Sequence, residues 1–280
     1  MALSSAAHWN QTEQDWATML ALGRGWGLRQ ADAAGCDRLV ASTLVLPYGA
    51  RFAWISMVLV LPEARGQGHA GRLLGVALQS LAADQLLAVL DATPAGRPVY
   101  LKHGFVDDWR FARWRCAGGG ADTTPGAASA GVRRLRDSDW PALDALDAPA
   151  FGACRLPLLQ ALAARSPQSA WVAEGGLGLR GYLLGRAGRT ALQLGPLVAE
   201  DDDVAISLLD AAWHPARSAA RRLGRDIVVD LREGRDRMAQ WLTARGFAIE
   251  RPFTRMVMSG RQSAPGDARC IALVAGPELG

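Results

Sequence analysis

Arg65-Gly66-Gln67-Gly68-His69-Ala70-Gly71-Arg72 sets three glycines within six residues, between two arginines. Residue types in this pattern can hold a diphosphate. Glycine lets the backbone approach a ligand, and the unpaired N–H groups of a helix start point at an anion. The flanking segments supply the elements such a loop needs. Residues 52–61 form an apolar run that reads as a buried strand and stops at Pro62. After the loop, Leu73, Leu74, Ala77, Leu78 and Leu81 fall on one helical stripe. The sequence therefore predicts strand, glycine loop and helix, in that order.

Spacing separates the ligands such a loop could take. A P-loop closes on Gly-Lys-Ser/Thr, and this one closes on Gly71-Arg72-Leu73. Gly66-Gln67-Gly68-His69-Ala70-Gly71 matches the dinucleotide fingerprint literally. It lacks the acidic residue expected about 20 positions on, at the end of a following strand, since Asp84 falls inside the predicted helix. The pattern Arg65-x-x-Gly68-x-Ala70, preceded by strand and proline, resembles the acyl-CoA loop of the GNAT N-acetyltransferase superfamily. Agreement extends through 86–105, where an apolar strand ends at Asp91 and leads on to Pro98-Val99-Tyr100-Leu101-Lys102-His103-Gly104-Phe105. This segment is similar to the family's short helix with a tyrosine just before Gly-Phe. Gly104 suits the left-handed position that ends a helix.

Composition excludes several classes. Half of the 280 residues are hydrophobic, enough for two cores, and the longest apolar run is too short to cross a bilayer. No basic residue precedes Arg24, so no secretory signal is expected. Cys36, Cys116, Cys154 and Cys270 form no C-x-x-C pair, and the four histidines are dispersed. Neither a metal site nor a disulfide framework is expected, and a reducing cytoplasm fits. The net charge of +4 comes from arginines scattered along the chain, Lys102 being the only lysine. Without a basic run, nucleic-acid binding is not expected.

Residues 117–130 hold no large apolar side chain and read as a linker. The 150 residues beyond it, 131–280, loosely repeat 1–116. Arg136-Asp137-Ser138-Asp139-Trp140 echoes Thr12-Glu13-Gln14-Asp15-Trp16. A strand over 191–199 and a helix over 204–213 parallel the first strand and its helix. Residues 227–231, with 238–247 ending in Gly246-Phe247, parallel 86–105. The copies differ chemically. Glu200-Asp201-Asp202-Asp203 stands where the first copy has its glycine loop, with Asp202 or Asp203 expected as a helix cap. These carboxylates would repel a diphosphate by several kcal/mol, taking an effective dielectric of about 20. Leu242 stands where the first copy has Tyr100.

The resemblance as a whole implies an α/β (α+β) chain of two GNAT folds in tandem. Each would be a mixed, mostly antiparallel sheet flanked by helices. Expected domains are 1–116, catalytic, and 131–280, non-catalytic and similar to the second half of two-domain GNAT proteins. It implies acetyl-CoA as cosubstrate, bound by Arg65, Gly66, Gln67, Gly68, His69, Ala70, Gly71 and Arg72 and by the backbone of Val58, Leu59 and Val60. It gives Tyr100 the role of acid to the departing thiolate, and no metal a role. The acceptor would be a primary amine of a small molecule or peptide, with neither nucleic acid nor membrane as partner; a homodimer is compatible. The base stays unassigned, Asp91 being the nearest carboxylate. The alternative function is a non-enzymatic module that binds acyl-CoA or another metabolite.

Overall fold

The computed structural model describes residues 1–31, 35, 37–119, 131–176, 178–258, 260 and 263–280. The expected linker thus lies, from residue 120 on, outside the described residues. The first half contains α1 (Ala2–Ala6), α2 (Glu13–Leu22), β1 (Arg24–Ala31), β2 (Asp37–Tyr48), β3 (Phe52–Val60), α3 (His69–Ala83), β4 (Leu87–Ala92), α4 (Arg97–Lys102) and β5 (Phe105–Cys116). The second half opens with β6 (Val132–Arg134), α5 (Trp140–Phe151), α6 (Leu156–Arg165), β7 (Trp171–Gly175), β8 (Gly178–Ala187) and β9 (Ala191–Ala199). The chain continues with α7 (Asp202–Leu223), β10 (Asp226–Arg232), α8 (Asp236–Ala244), β11 (Ala248–Met258) and β12 (Ile271–Leu273). Local chemistry explains several ends. Thr12 and Asp15 cap each other's backbone at the start of α2. Gly104 and Gly246 take φ of +86° and +83° where α4 and α8 stop.

The chain divides into two compact units, and the division does not follow the linker. Unit 1 comprises Met1–Asp108, Arg255–Ala264 and Pro277–Gly280; unit 2 comprises Trp109–Thr254 and Pro265–Gly276. In unit 1 the strand order is β1-β2-β3-β4, then the last residues of β11. β1–β2 and β2–β3 are antiparallel and β3–β4 is parallel. Leu74, Ala77 and Leu81 of α3 pack on Ala53, Ile55, Ala88, Leu90, Phe105 and Met256. In unit 2, β10 has β5 as a neighbour, and the order continues β12-β9-β8-β7-β6. There β9–β10 is parallel and the other paired registers are antiparallel. Both units are mixed, mostly antiparallel sheets flanked by helices.

Each unit therefore contains a strand from the other half of the sequence, and a buried ion pair holds each one. Arg255 of β11 donates to both carboxylate oxygens of Asp91 on β4, at 2.9 and 3.0 Å, and lies 4.4 Å from the centroid of the Trp54 ring. In unit 2, Arg113 of β5 donates to both oxygens of Asp230 on β10, at 2.8 and 2.7 Å. Phe111-Ala112-Arg113 and Phe253-Thr254-Arg255 share the same spacing. The end of the chain belongs to unit 1 as well: Trp54 Nε1 donates to Pro277 O at 3.0 Å and Tyr48 Oη to Leu279 O at 2.7 Å.

Candidate active site

β3 and β4 pair over only three residues, Phe52–Leu87, Ala53–Ala88 and Trp54–Val89. Beyond Trp54 the pairing of the two parallel strands ends, and among the described residues β3 presents an unpaired edge up to Val60. On its other side β3 pairs with β2 through a bulge. Ser56 faces Leu44 and Leu59 faces Ser42, so Met57 and Val58 together oppose Thr43. Met57 takes a positive φ of 50°, and its carbonyl accepts from Ser42 Oγ at 2.9 Å.

Of the three expected backbone donors, the alternation along β3 sets the direction of Leu59 and Val60. Leu61 N–H donates to Val40 O at 2.9 Å, toward β2. With a period of two from Leu61, Leu59 also turns its N–H toward β2 and Val60 turns its own to the open edge, while Val58 lies within the bulge, where the alternation is broken. Leu59 is accordingly not a cleft donor, and its side chain is buried.

The glycine loop comes directly after β3. Gly66 and Gly68 take φ of +77° and +76°, and a Cβ at either would meet nothing within 4 Å. Only glycine holds this conformation without strain while leaving the backbone accessible. α3 begins at His69 with no side chain capping it, so its first-turn N–H groups stay available. Arg65 Nε donates to Val60 O at 3.3 Å, which holds the loop's arginine along the open edge. Gln30 of β1 reaches Gln67 Oε1 at 3.3 Å and His69 Nε2 at 3.2 Å. His69 is buried, whereas Gln67 and Arg72 are exposed and Ala70 and Gly71 half-buried. A Cβ on Gly71 would sit 3.6 Å from His103 Nε2, so the residue after α4 lies against the first turn of α3.

Tyr100 lies on α4, four residues before Gly104. Its ring meets Phe105 edge-on at 5.9 Å between centroids, and a Cβ on Gly96 would crowd it at 3.1 Å. The hydroxyl has no hydrogen-bond partner among the described residues. Burial pushes the phenol up to about 12, so it keeps its proton at neutral pH. Asp91, the carboxylate that the sequence places nearest the cleft, has both oxygens engaged by Arg255 and is no general base.

Unit 2 repeats this geometry and closes it. β9 and β10 pair from Ala191–Asp226 to Leu194–Val229, and beyond that point β12 stands between them. Ile271 pairs with Val198, and Leu273 with both Leu197 and Leu231. The acidic run is committed too. Asp201, rather than Asp202 or Asp203, caps α7 by accepting from Val204 N at 2.8 Å. Asp202 pairs with Arg235, Asp203 with Arg237, and Glu200 with Arg180. Leu242 is buried in the core of the unit. Among the described residues no cluster of His, Cys, Asp and Glu is suited to a metal ion, and no helix is long and apolar enough to cross a membrane.

Parallel strands that part ahead of a helix start define an acyltransferase-type fold, present here twice, with the glycine loop in unit 1 alone. The chain belongs to the GNAT acetyltransferase family, as a two-domain member. The model described as "Acetyltransferase (GNAT) family" matches residues 6–105, and "Acetyltransferase (GNAT) domain" matches 143–271. Among solved structures, a putative acetyltransferase from Pyrococcus horikoshii aligns at TM-score 0.70 and 19% identity, over 96% of this chain and 85% of that one. A tandem GNAT protein from the clavulanic acid biosynthesis pathway aligns at 0.64 and 16%, over 91% of both chains. A GCN5-related N-acetyltransferase from Sphaerobacter thermophilus aligns at 0.55 and 15%, over 83% and 79%. At these identities the likeness is one of fold. No curated protein sequence matches the chain.

Proposed function

We propose that unit 1 transfers an acetyl group from acetyl-CoA to the primary amine of a small molecule or peptide, and that unit 2 is not catalytic. The observation that carries this reading is a contrast. The divergence of β3 and β4 runs into an uncapped glycine loop, while the matching divergence of β9 and β10 is filled by β12. The diphosphate would rest on the N–H groups of 66–71, between Arg65 and Arg72. The pantetheine arm would follow the open edge of β3. The N–H groups of Val58 and Val60 would hold the amide of that arm and the acyl oxygen, where charge develops as the amine attacks.

The attacking amine must be neutral, although an alkyl ammonium has a pKa near 10.4. With Asp91 engaged by Arg255, the proton passes to solvent in this scheme. The amine nitrogen then bonds to the carbonyl carbon, the carbon–sulfur bond breaks, Tyr100 gives its proton to the departing thiolate, and the surplus proton on the nitrogen leaves through solvent, which reprotonates the Tyr100 phenolate. That protonated hydroxyl favours an enzyme over a module that only binds acyl-CoA. Calorimetry with acetyl-CoA tests the reading, with one site per chain expected. Two equivalent sites, or none, would overturn it.

A further inference from the structure

Among the described residues of β3 beside the cleft, Ser56 carries a buried hydroxyl that the acyl-transfer scheme leaves without work. It lies on β3 two residues past Trp54, where pairing with β4 has ended, and immediately before the bulge at Met57. Its side chain is only 5% exposed, yet its hydroxyl has no hydrogen-bond partner among the described residues. The backbone around it is held in place. Ser56 O accepts from Thr43 Oγ1 at 3.5 Å, and the next carbonyl, Met57 O, accepts from Ser42 Oγ at 2.9 Å. Two hydroxyls of β2 are thus spent on fixing this turn of β3, while the hydroxyl on β3 is spent on nothing within the protein. A buried hydroxyl without a partner is disfavoured relative to alanine, which removes the polar group and leaves little void.

Its face identifies the guest. Ala53 and Ile55 point to the side of the sheet packed by Leu74, Ala77 and Leu81 of α3. Alternation puts Trp54 and Ser56 on the opposite side. A thioester lying in the plane of the sheet, along the β3 edge, would have its α3 side blocked by that packing. The nucleophile must then arrive from the side Ser56 faces. Asp91, which lies across the divergence in the extrapolated register, is already bonded to Arg255.

We infer that Ser56 is a positioning residue for the acceptor: its Oγ accepts a hydrogen bond from the attacking amine and aims the nitrogen lone pair at the thioester carbon. A serine hydroxyl is not a base at neutral pH, so it orients the amine without deprotonating it. Orientation of this kind contributes to rate through the entropy of a held geometry. The inference rests on the acyl-transfer reading of unit 1, and the test keeps the two apart.

The test compares Ser56→Ala with the parent protein, using acetyl-CoA as donor and hydroxylamine as the smallest amine probe, with free thiol release as readout. The parent protein should release thiol with saturable dependence on hydroxylamine. The variant should need at least about tenfold more hydroxylamine for half-maximal rate, with the KM for acetyl-CoA and the affinity for CoA unchanged and an equal or higher melting temperature. An unchanged hydroxylamine dependence would overturn the role of Ser56 alone. So would a melting temperature lowered by several degrees, since the hydroxyl would then have a structural partner. A parent protein that binds CoA and releases no thiol would overturn the acyl-transfer reading beneath it.

Discussion

Replacing Arg255 with alanine should unfold unit 1 far more readily than the loss of one surface charge would. The guanidinium makes two hydrogen bonds to Asp91, and the side chains are 4% and 0% exposed. Removing it takes the bidentate partner from a buried carboxylate, a loss that costs about 3–5 kcal/mol. It also removes the cation from the face of Trp54. Unit 1 holds roughly 120 residues, so the loss corresponds to a fall of about 10–20 °C in the transition that unfolds it. The assay is scanning calorimetry of the variant beside Arg113→Ala, which removes the matching pair from unit 2. Each variant should lower a different transition if the units melt separately. Removing both members of the pair, Asp91→Leu with Arg255→Met, should restore most of the stability, because a well-packed apolar replacement leaves no orphan charge. If Arg255→Ala stays within about 1 kcal/mol of the parent, far below the cost of an orphaned buried charge, the pair does not hold the strand and the argument fails. A double variant as unstable as the single one would fail it equally.

Gly68→Asp puts a carboxylate at the loop, at a φ of +76°, and at close range should weaken CoA binding at least about 100-fold by calorimetry; unchanged affinity would remove the loop from the site. Tyr100→Phe should lower kcat by about 10²–10⁴ with CoA affinity preserved. The phenol's raised value, about 12, means that the protein's stability from this group is complete below pH 10 and lost as pH rises through 12. Turnover of the parent should therefore keep climbing beyond pH 9 as the amine deprotonates. With three tyrosines in the chain, ultraviolet titration should lose a transition near pH 12 in the variant. A fragment ending at residue 130 lacks Arg255–Ala264 and Pro277–Gly280 of unit 1. It should show no cooperative unfolding and no CoA binding, where a reading of the sequence alone allows it to bind.

The features legible in the sequence are those made by neighbours along the chain. The glycine loop, the helix stripe behind it, Tyr100 ahead of Gly104 and the acidic run at 200–203 each sit within a few residues and obey local rules. Asp91 and Arg255 lie 164 positions apart, and nothing local says that they meet. β5 and β11 each come after a helix that ends in Gly-Phe, so each could pair with the strand of its own half as well as with the other. A signal was nonetheless present. Each half carries an arginine two residues after a phenylalanine in one strand and an aspartate near the end of the apolar strand before it, and each arginine pairs with the aspartate of the other half. β12 was harder to see, since three residues, Ile271-Ala272-Leu273, carry no periodicity that separates a strand from a short coil. Which N–H groups of β3 face the open edge is hidden for a different reason. The open edge of a strand alternates, and the direction of the alternation is set by the bulge at Met57, which the sequence does not announce.

The assignment of Pro277–Gly280 to unit 1 has a consequence for timing during synthesis. A ribosome adds about 5–20 residues per second, and N-terminal domains usually fold while the rest is still being made. Here the first 108 residues wait for partners that emerge about 150–170 residues later, a delay on the order of 10–30 seconds. During that interval β4 lacks its β11 neighbour and Asp91 lacks Arg255, so the nascent first unit is exposed to misassociation. A ribosome that stalls before codon 255 releases a chain in which neither the glycine loop nor Tyr100 is backed by a completed sheet, so the proposed site depends on residues made long after its own.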